Sequence, residues 1–158
     1  MKRLILLNLG LVISLAGCLV IDINSNIKGS GIAKTEIRTL GSFNVLDVEY
    51  AGAIEVRSQG QESLTISGDD NIVQFITTEV KNGTLYIRDP EGYSPQQKLQ
   101  IIVSTPDVKR FVFDGVGEAN LSNIKNDRLE IVAAIPNSEC LSCTDRSVEI
   151  CVRLASPF

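Results

Sequence analysis

"VEYAGAIEV", residues 48–56, alternates apolar and polar positions on either side of an Ala-Gly break. Leu46, Val48 and Tyr50 share one face, and Ile54 and Val56 continue it after Ala51-Gly52. A period of two marks a half-buried strand. The pattern returns at 113–121 as "FDGVGEANL", with Gly117 where the first copy has Gly52. A shorter offset of 20 links Leu121 to Leu141 and Ile131 to Cys151. Short strands repeating near that spacing predict rungs of a β-solenoid, each burying its apolar row against the next. Chance matches at turn spacing in any all-β chain would produce the same offsets.

Outward from this pair, the alternation continues. Leu64 and Ile66 make a short run, and "VKNGTLYIR" (80–88) predicts a tight hairpin. Asn82-Gly83 there suits two positive-φ positions, and Leu85 and Ile87 face inward. Asp89 to Pro95 holds two prolines and a glycine and reads as a surface loop. Leu99, Ile101 and Val103 precede Pro106; Phe111 with Phe113, Leu129 with Ile131 and Ala133, and Val148 with Ile150, Val152 and Leu154 complete the set. "NIVQFITTEV" (71–80) is the one candidate for a helical turn, so the class is all-β.

The first residues carry an export pattern. Lys2 and Arg3 give a positive start, Leu4 to Leu15 is almost wholly apolar, and Ala16-Gly17 is small enough for a peptidase. A membrane-spanning reading is marginal, because Asn8 and Ser14 interrupt a stretch that needs about 20 apolar residues. Leu15-Ala16-Gly17-Cys18 resembles the lipobox of bacterial lipoproteins at all four positions. That resemblance implies a cleaved signal peptide over 1–17 and a diacylglycerol on the Cys18 thiol, palmitate among its acyl chains. Leu19 stands where the family places aspartate to retain proteins at the inner membrane, which implies the outer membrane. Residues 18–42, the lipidated cysteine and a polar, glycine-containing stretch, read as a linker leading into the domain.

Loss of 1–17 leaves 141 residues, one modest domain, and takes the net charge from −4 to −6 by removing Lys2 and Arg3. An acidic chain without a basic cluster excludes nucleic acid as an expected partner. Tryptophan and histidine are absent. With no histidine the chain lacks the commonest general base, the commonest metal ligand and the Ser-His and Cys-His pairs.

Other candidate chemistry is thin. Asp69-Asp70-Asn71 offers either three oxygens for a calcium ion or ordinary turn formers. Asp114 and Glu118 flank Gly115-Val116-Gly117 and pose as a carboxylate pair for glycoside chemistry. Whether they converge with Glu49 and Glu55 on one cleft separates an enzyme from a binding module. Gly115-x-Gly117 lacks the third glycine, lysine and following helix of a nucleotide loop. Cys140-x-x-Cys143 with Cys151 supplies three sulfurs without a fourth ligand, so no metal site is expected. The remaining readings are one structural disulfide with a thiol left over, or three unpaired thiols.

Taken in order, these motifs resemble the bacterial head GIN domain, also called the auto-transporter adhesin domain. Gly29-Ser30-Gly31, Arg38, Phe43 and Ala51-Gly52 match its opening. "SGDDNIVQFITTEVKNGTLYI" (67–87) matches its next segment, and "LQIIVSTPDVKRFVFDGVGEANL" (99–121) its central signature. The similarity covers roughly 29–132 and implies a right-handed β-helical fold in an exported protein. Ala134-Ile135-Pro136-Asn137 departs from it, where another Gly-x-Gly turn belongs, so 134–158 reads as a divergent or shortened end to a 43–158 solenoid. The strand at 147–156 is then expected to leave an open edge for self-association. The sum is an outer-membrane-tethered lipoprotein, facing the periplasm or the outside. Its adhesin-like domain binds an envelope or surface ligand or has a structural role, without enzymatic activity or cofactor. The alternatives are a β-helical polysaccharide-acting enzyme or an accessory protein in envelope signalling.

Overall fold

The structure is a computed structural model and describes residues 26–90, 92–124 and 128–133, and the backbone of 140–144 and 147–152. Cys18, the signal segment and the departure at 134–137 lie outside the described residues.

Two long strands carry the fold, β3 (Val45–Ser58) and β9 (Arg110–Ser122). They run parallel, in register from Val45↔Arg110 to Arg57↔Ser122, which sets Gly52 against Gly117. The repeat of 48–56 at 113–121 is thus the pairing itself. At its centre the backbones touch with no room for side chains. A Cβ on Gly115 would lie 2.0 Å from the Tyr50 carbonyl oxygen, and one on Gly117 2.0 Å from that of Gly52. Gly117 also has φ 143°, where L side chains are strained.

The long strands change outer neighbours at this point. β6 (Thr84–Arg88) runs parallel to residues 45–49 of β3, and β8 (Gln100–Thr105) parallel to residues 53–58. On the far side, β10 (Glu130–Ala133) lies parallel to residues 110–113 of β9. Residues 117–121 instead meet β12 (Ser147–Val152), antiparallel. Hairpins extend the array. β5 (Thr77–Lys81) pairs with β6 across Asn82-Gly83, whose φ values of 51° and 75° are those the sequence predicted. β4 (Ser63–Asp69) joins β8 to β2 (Ala33–Thr39), and β11 (Cys140–Thr144) closes the other end against β12. One helical turn, α1 (Asp70–Val73), follows β4, as the sequence indicated for this region.

One face of this array is the core. Leu46, Val48, Tyr50, Ile54 and Val56 of β3 stand beside Phe111, Phe113, Ala119 and Leu121 of β9. Leu64, Ile66, Leu85, Ile87, Ile101 and Val103 extend the layer, all fully buried. At about 25 cal/mol per Å² of apolar surface removed from water, this layer is the main source of stability. Phe111 and Phe113 stack with ring centroids 6.0 Å apart.

The all-β expectation holds, but the described strands form a mixed sheet and not a column of equivalent parallel rungs. The 20-residue offsets proved misleading. Leu121 opposes Val148 and Cys140 opposes Cys151, both antiparallel, because β12 runs against both β9 and β11. Nor is 147–152 an open edge, since it lies between β9 and β11. The expected linker carries β2 and β1 (Ile27–Lys28), and the expected loop carries β7 (Tyr93–Ser94), which pairs in parallel with β1.

Gly117→Ala forces a methyl group into the Gly52 carbonyl and a strained φ together, and is expected to cost about 3 kcal/mol. Gly41→Ala, whose Cβ meets only Val80 at 4.0 Å, stays within about 1 kcal/mol of the parent chain. Urea melts of the two variants check the pair; equal midpoints would remove the glycine contact as the constraint on this pairing.

Candidate functional site

Asp69 ends β4 fully buried. Its carboxylate accepts backbone N–H bonds from Gly31 at 2.6 Å and from Gln96 and Gln97 at 2.9 Å each. Burial pushes its pKa up, but the N–H donors of Gln97, Gly31 and Gln96 outweigh that and hold it below its ordinary 3.8. Beside it, Asp70 accepts the Ser30 hydroxyl at 2.5 Å, while Asn71 accepts the Ser30 N–H and donates to the Lys28 carbonyl, both at 2.9 Å. The Gln96 and Gln97 amides return bonds to the Gly29 and Gly31 carbonyls at 2.6 and 2.9 Å. Gly29 is required by the close approach, since its Cβ would fall 2.6 Å from Asp69 Oδ2.

Asp69-Asp70-Asn71 is therefore a clamp that joins residues 28–31, α1 and the 96–97 loop. Its oxygens face N–H and O–H donors, the opposite of what a cation needs. Among the described residues no three acids or cysteines gather as metal ligands. Arg38 serves the same end of the domain. It bonds Glu36 at 2.7 Å, the Ile76 carbonyl at 2.7 Å and the Thr78 hydroxyl at 3.0 Å, and its hydrogen bond to Glu36 lowers that carboxyl's pKa.

The four carboxylates of the enzyme reading all occupy the outer face of β3 and β9, on both sides of the glycine contact. Glu49 and Asp114 are register partners before the glycine contact. Glu118 stands opposite Ala53, after it. Asp114 and Glu118 lie four positions apart on one strand, at most about 13 Å at full extension. Glu49 reaches Arg88 at 3.1 Å and Glu55 reaches Arg57 at 2.7 Å, so local cations hold these two.

A further cluster gathers beside Ala51-Gly52 and carries no sequence signature. Tyr93 Oη lies 2.5 Å from Asp89 Oδ2 and 2.8 Å from the Ala51 carbonyl oxygen, and the same Asp89 oxygen accepts the Ala51 N–H at 2.7 Å. Burial, then the bond to Asp89, drives the Tyr93 pKa up. Tyr50 lies beneath, its pKa raised by burial and then by Tyr93 and Asp89. Its hydroxyl covers Gly52 and meets no hydrogen-bond partner in the structure. Only a contact map could have joined Asp89 and Tyr93 to Ala51, 42 residues away from Tyr93. Open depressions of about 240 and 430 Å³ meet at Asp107 near the start of β9, the first lined in part by Phe43, Asn44 and Glu62, the second by Lys109, Arg128 and Glu130.

A family model described as "Putative auto-transporter adhesin, head GIN domain" matches residues 42–150. The chain belongs to the head GIN domain family. A solved "putative adhesin" from Bacteroides fragilis is 28% identical over 68% of this chain and 53% of its own, with a TM-score of 0.63. A "putative adhesin" from Parabacteroides merdae (19% identity, TM-score 0.54) covers 68% of this chain and 46% of its own. A "putative lipid binding protein" from Parabacteroides distasonis (22%, 0.53) covers 68% and 48%. The last two share the fold alone. This chain spans about half the length of the solved structures it resembles. No protein of curated function matches it in sequence.

Asp69→Asn removes a charge that the folded state stabilises. Because the folded pKa is lowered, that stabilisation is full above 3.8 and is lost as pH falls through the folded value. Thermal melts from about pH 6 to about pH 2 should show the variant less stable at the upper end and the gap closing at the lower end. A gap independent of pH would mean that the charge contributes nothing.

Proposed function

We propose that this head GIN chain is a lipid-anchored protein of the outer membrane, held by an acylated Cys18, whose all-β domain serves envelope adhesion or architecture. The observation that carries the reading is family membership across 42–150, joined to the lipobox-like Leu15-Ala16-Gly17-Cys18. Among the described residues no helix is long and apolar enough to cross a membrane. Glu49 and Glu55 are held by Arg88 and Arg57, and the four carboxylates lie on both sides of the glycine contact, which favours a binding or structural surface over a polysaccharide-cleaving one. Two or three acyl chains on one residue hold a protein stably, where a single chain holds it marginally.

On this reading the tether is short. Eight residues lie between Cys18 and Ile27, where β1 begins, and the nine Cα–Cα steps reach at most about 30 Å. A linker running to residue 42 would have allowed more than twice that.

Cys18→Ser should leave an uncleaved precursor that takes up no radiolabelled palmitate, while the parent chain is labelled and fractionates with outer membrane. Labelling that survives in the variant refutes the anchor. The chain from residue 22 onward should release no sugar from envelope polysaccharide; turnover abolished by Asp114→Asn or Glu118→Gln would place the protein among the enzymes instead.

A further inference from the structure

We propose that Cys140 and Cys151 form a cross-strand disulfide and that Cys143 is the remaining thiol. The β11–β12 ladder sets Cys140 directly opposite Cys151. Opposed residues of an antiparallel pair lie about 4.5 or 5.5 Å apart at Cα, according to the type of site. Both values fall in the disulfide range of about 4.4–6.8 Å.

The next ladder excludes the other pairings. Residues opposed across a sheet share a face, and successive residues alternate. Cys151 is opposite Glu118, which is exposed, so the row Cys140, Cys151, Glu118 belongs to the solvent side. Cys143 is opposite Val148, which is opposite Leu121, a core residue. Cys143 therefore occupies the core-side row and cannot meet either partner across the ladder. The same alternation rules out three sulfurs around one metal ion, and Cys140-x-x-Cys143 as a redox pair.

The chemistry requires a disulfide oxidant, such as oxidised glutathione. One cysteine thiolate attacks a glutathione sulfur and releases one glutathione thiolate. The second cysteine, as thiolate, then attacks the mixed disulfide at the protein sulfur and releases the other. Two protein thiols are oxidised, one glutathione disulfide is reduced to two thiols, and two protons leave the cysteines. The presence of the bond in cells rests on the export reading, since disulfides persist in oxidising compartments.

Tryptic mapping tests the pairing in the full chain. Cleavage after Arg128, Arg146 and Arg153 puts Cys140 and Cys143 in peptide 129–146 and Cys151 in peptide 147–153, with Cys18 elsewhere. After exposure to oxidised glutathione and alkylation without reductant, the two peptides should migrate as one species, with the alkyl group on Cys143. Cys143→Ser should keep the link and Cys140→Ser should lose it. A link surviving in Cys140→Ser, an alkyl group on Cys140, or complete alkylation of all three cysteines overturns the proposal. A bond that forms with glutathione but is missing from protein isolated from cells supports the pairing and counts against export.

Discussion

Everything else in this domain depends on backbone meeting backbone where β3 and β9 cross their glycines. Gly115 and Gly117 leave space that the carbonyls of Tyr50 and Gly52 occupy. A parallel pair of this length has no turn to fix its register. The register is fixed instead by this contact and by the pleat, since a slip of one residue would turn Phe111, Phe113 and Leu121 out to solvent. With that register set, each long strand presents two different edges, one before the glycines and one after. β6 and β10 take the first pair of edges, β8 and β12 the second. The tyrosine over Gly52 fills the volume that a missing side chain leaves open, although its hydroxyl stays unpaired.

Much of this was legible in the sequence, because period-two alternation reports directly on which face is buried. Every core position anticipated in β3, β4, β6, β8 and β9 is buried, and Asn82-Gly83 marked its hairpin. The match of 48–56 with 113–121 even gave the register, since both copies need glycine at the same contact. Alternation does not report strand direction, however. The 20-residue offset that links Leu121 to Leu141 and Ile131 to Cys151 fails for that reason, since Val148 opposes Leu121 and Glu118 opposes Cys151, both antiparallel.

The candidate site was less legible. Asp69-Asp70-Asn71 looks the same in sequence whether its oxygens face a cation or the N–H groups of a distant segment. The partners settle the matter, and they lie 27 to 43 residues away. Residues 28–39 read as linker for a related reason. β2 is an outer strand whose residues are exposed or only half-buried, so it lacks the apolar stripe by which core strands are recognised. It is held by seven register pairs to β4 and by Arg38, whose bonds go to carbonyls no composition argument can see.

The charge pattern of the strands bears on the kind of work such a surface can do. Residues i and i+2 share a strand face, and Lys34–Glu36, Glu36–Arg38, Glu55–Arg57 and Glu79–Lys81 all pair in that way. Arg88 bridges to Asp47 and Glu49 from the neighbouring strand. Exposed pairs of this kind contribute at most about 1 kcal/mol each, so stability is not what they chiefly provide. They neutralise the outer face locally, leaving it charged yet without a strong field of one sign. The edge strand β2, with Lys34, Glu36 and Arg38 along one side, carries the charges that discourage strand addition by another chain. Pairing of this kind confines each of these charges to its own neighbourhood, so they add little to the long-range attraction of a charged partner.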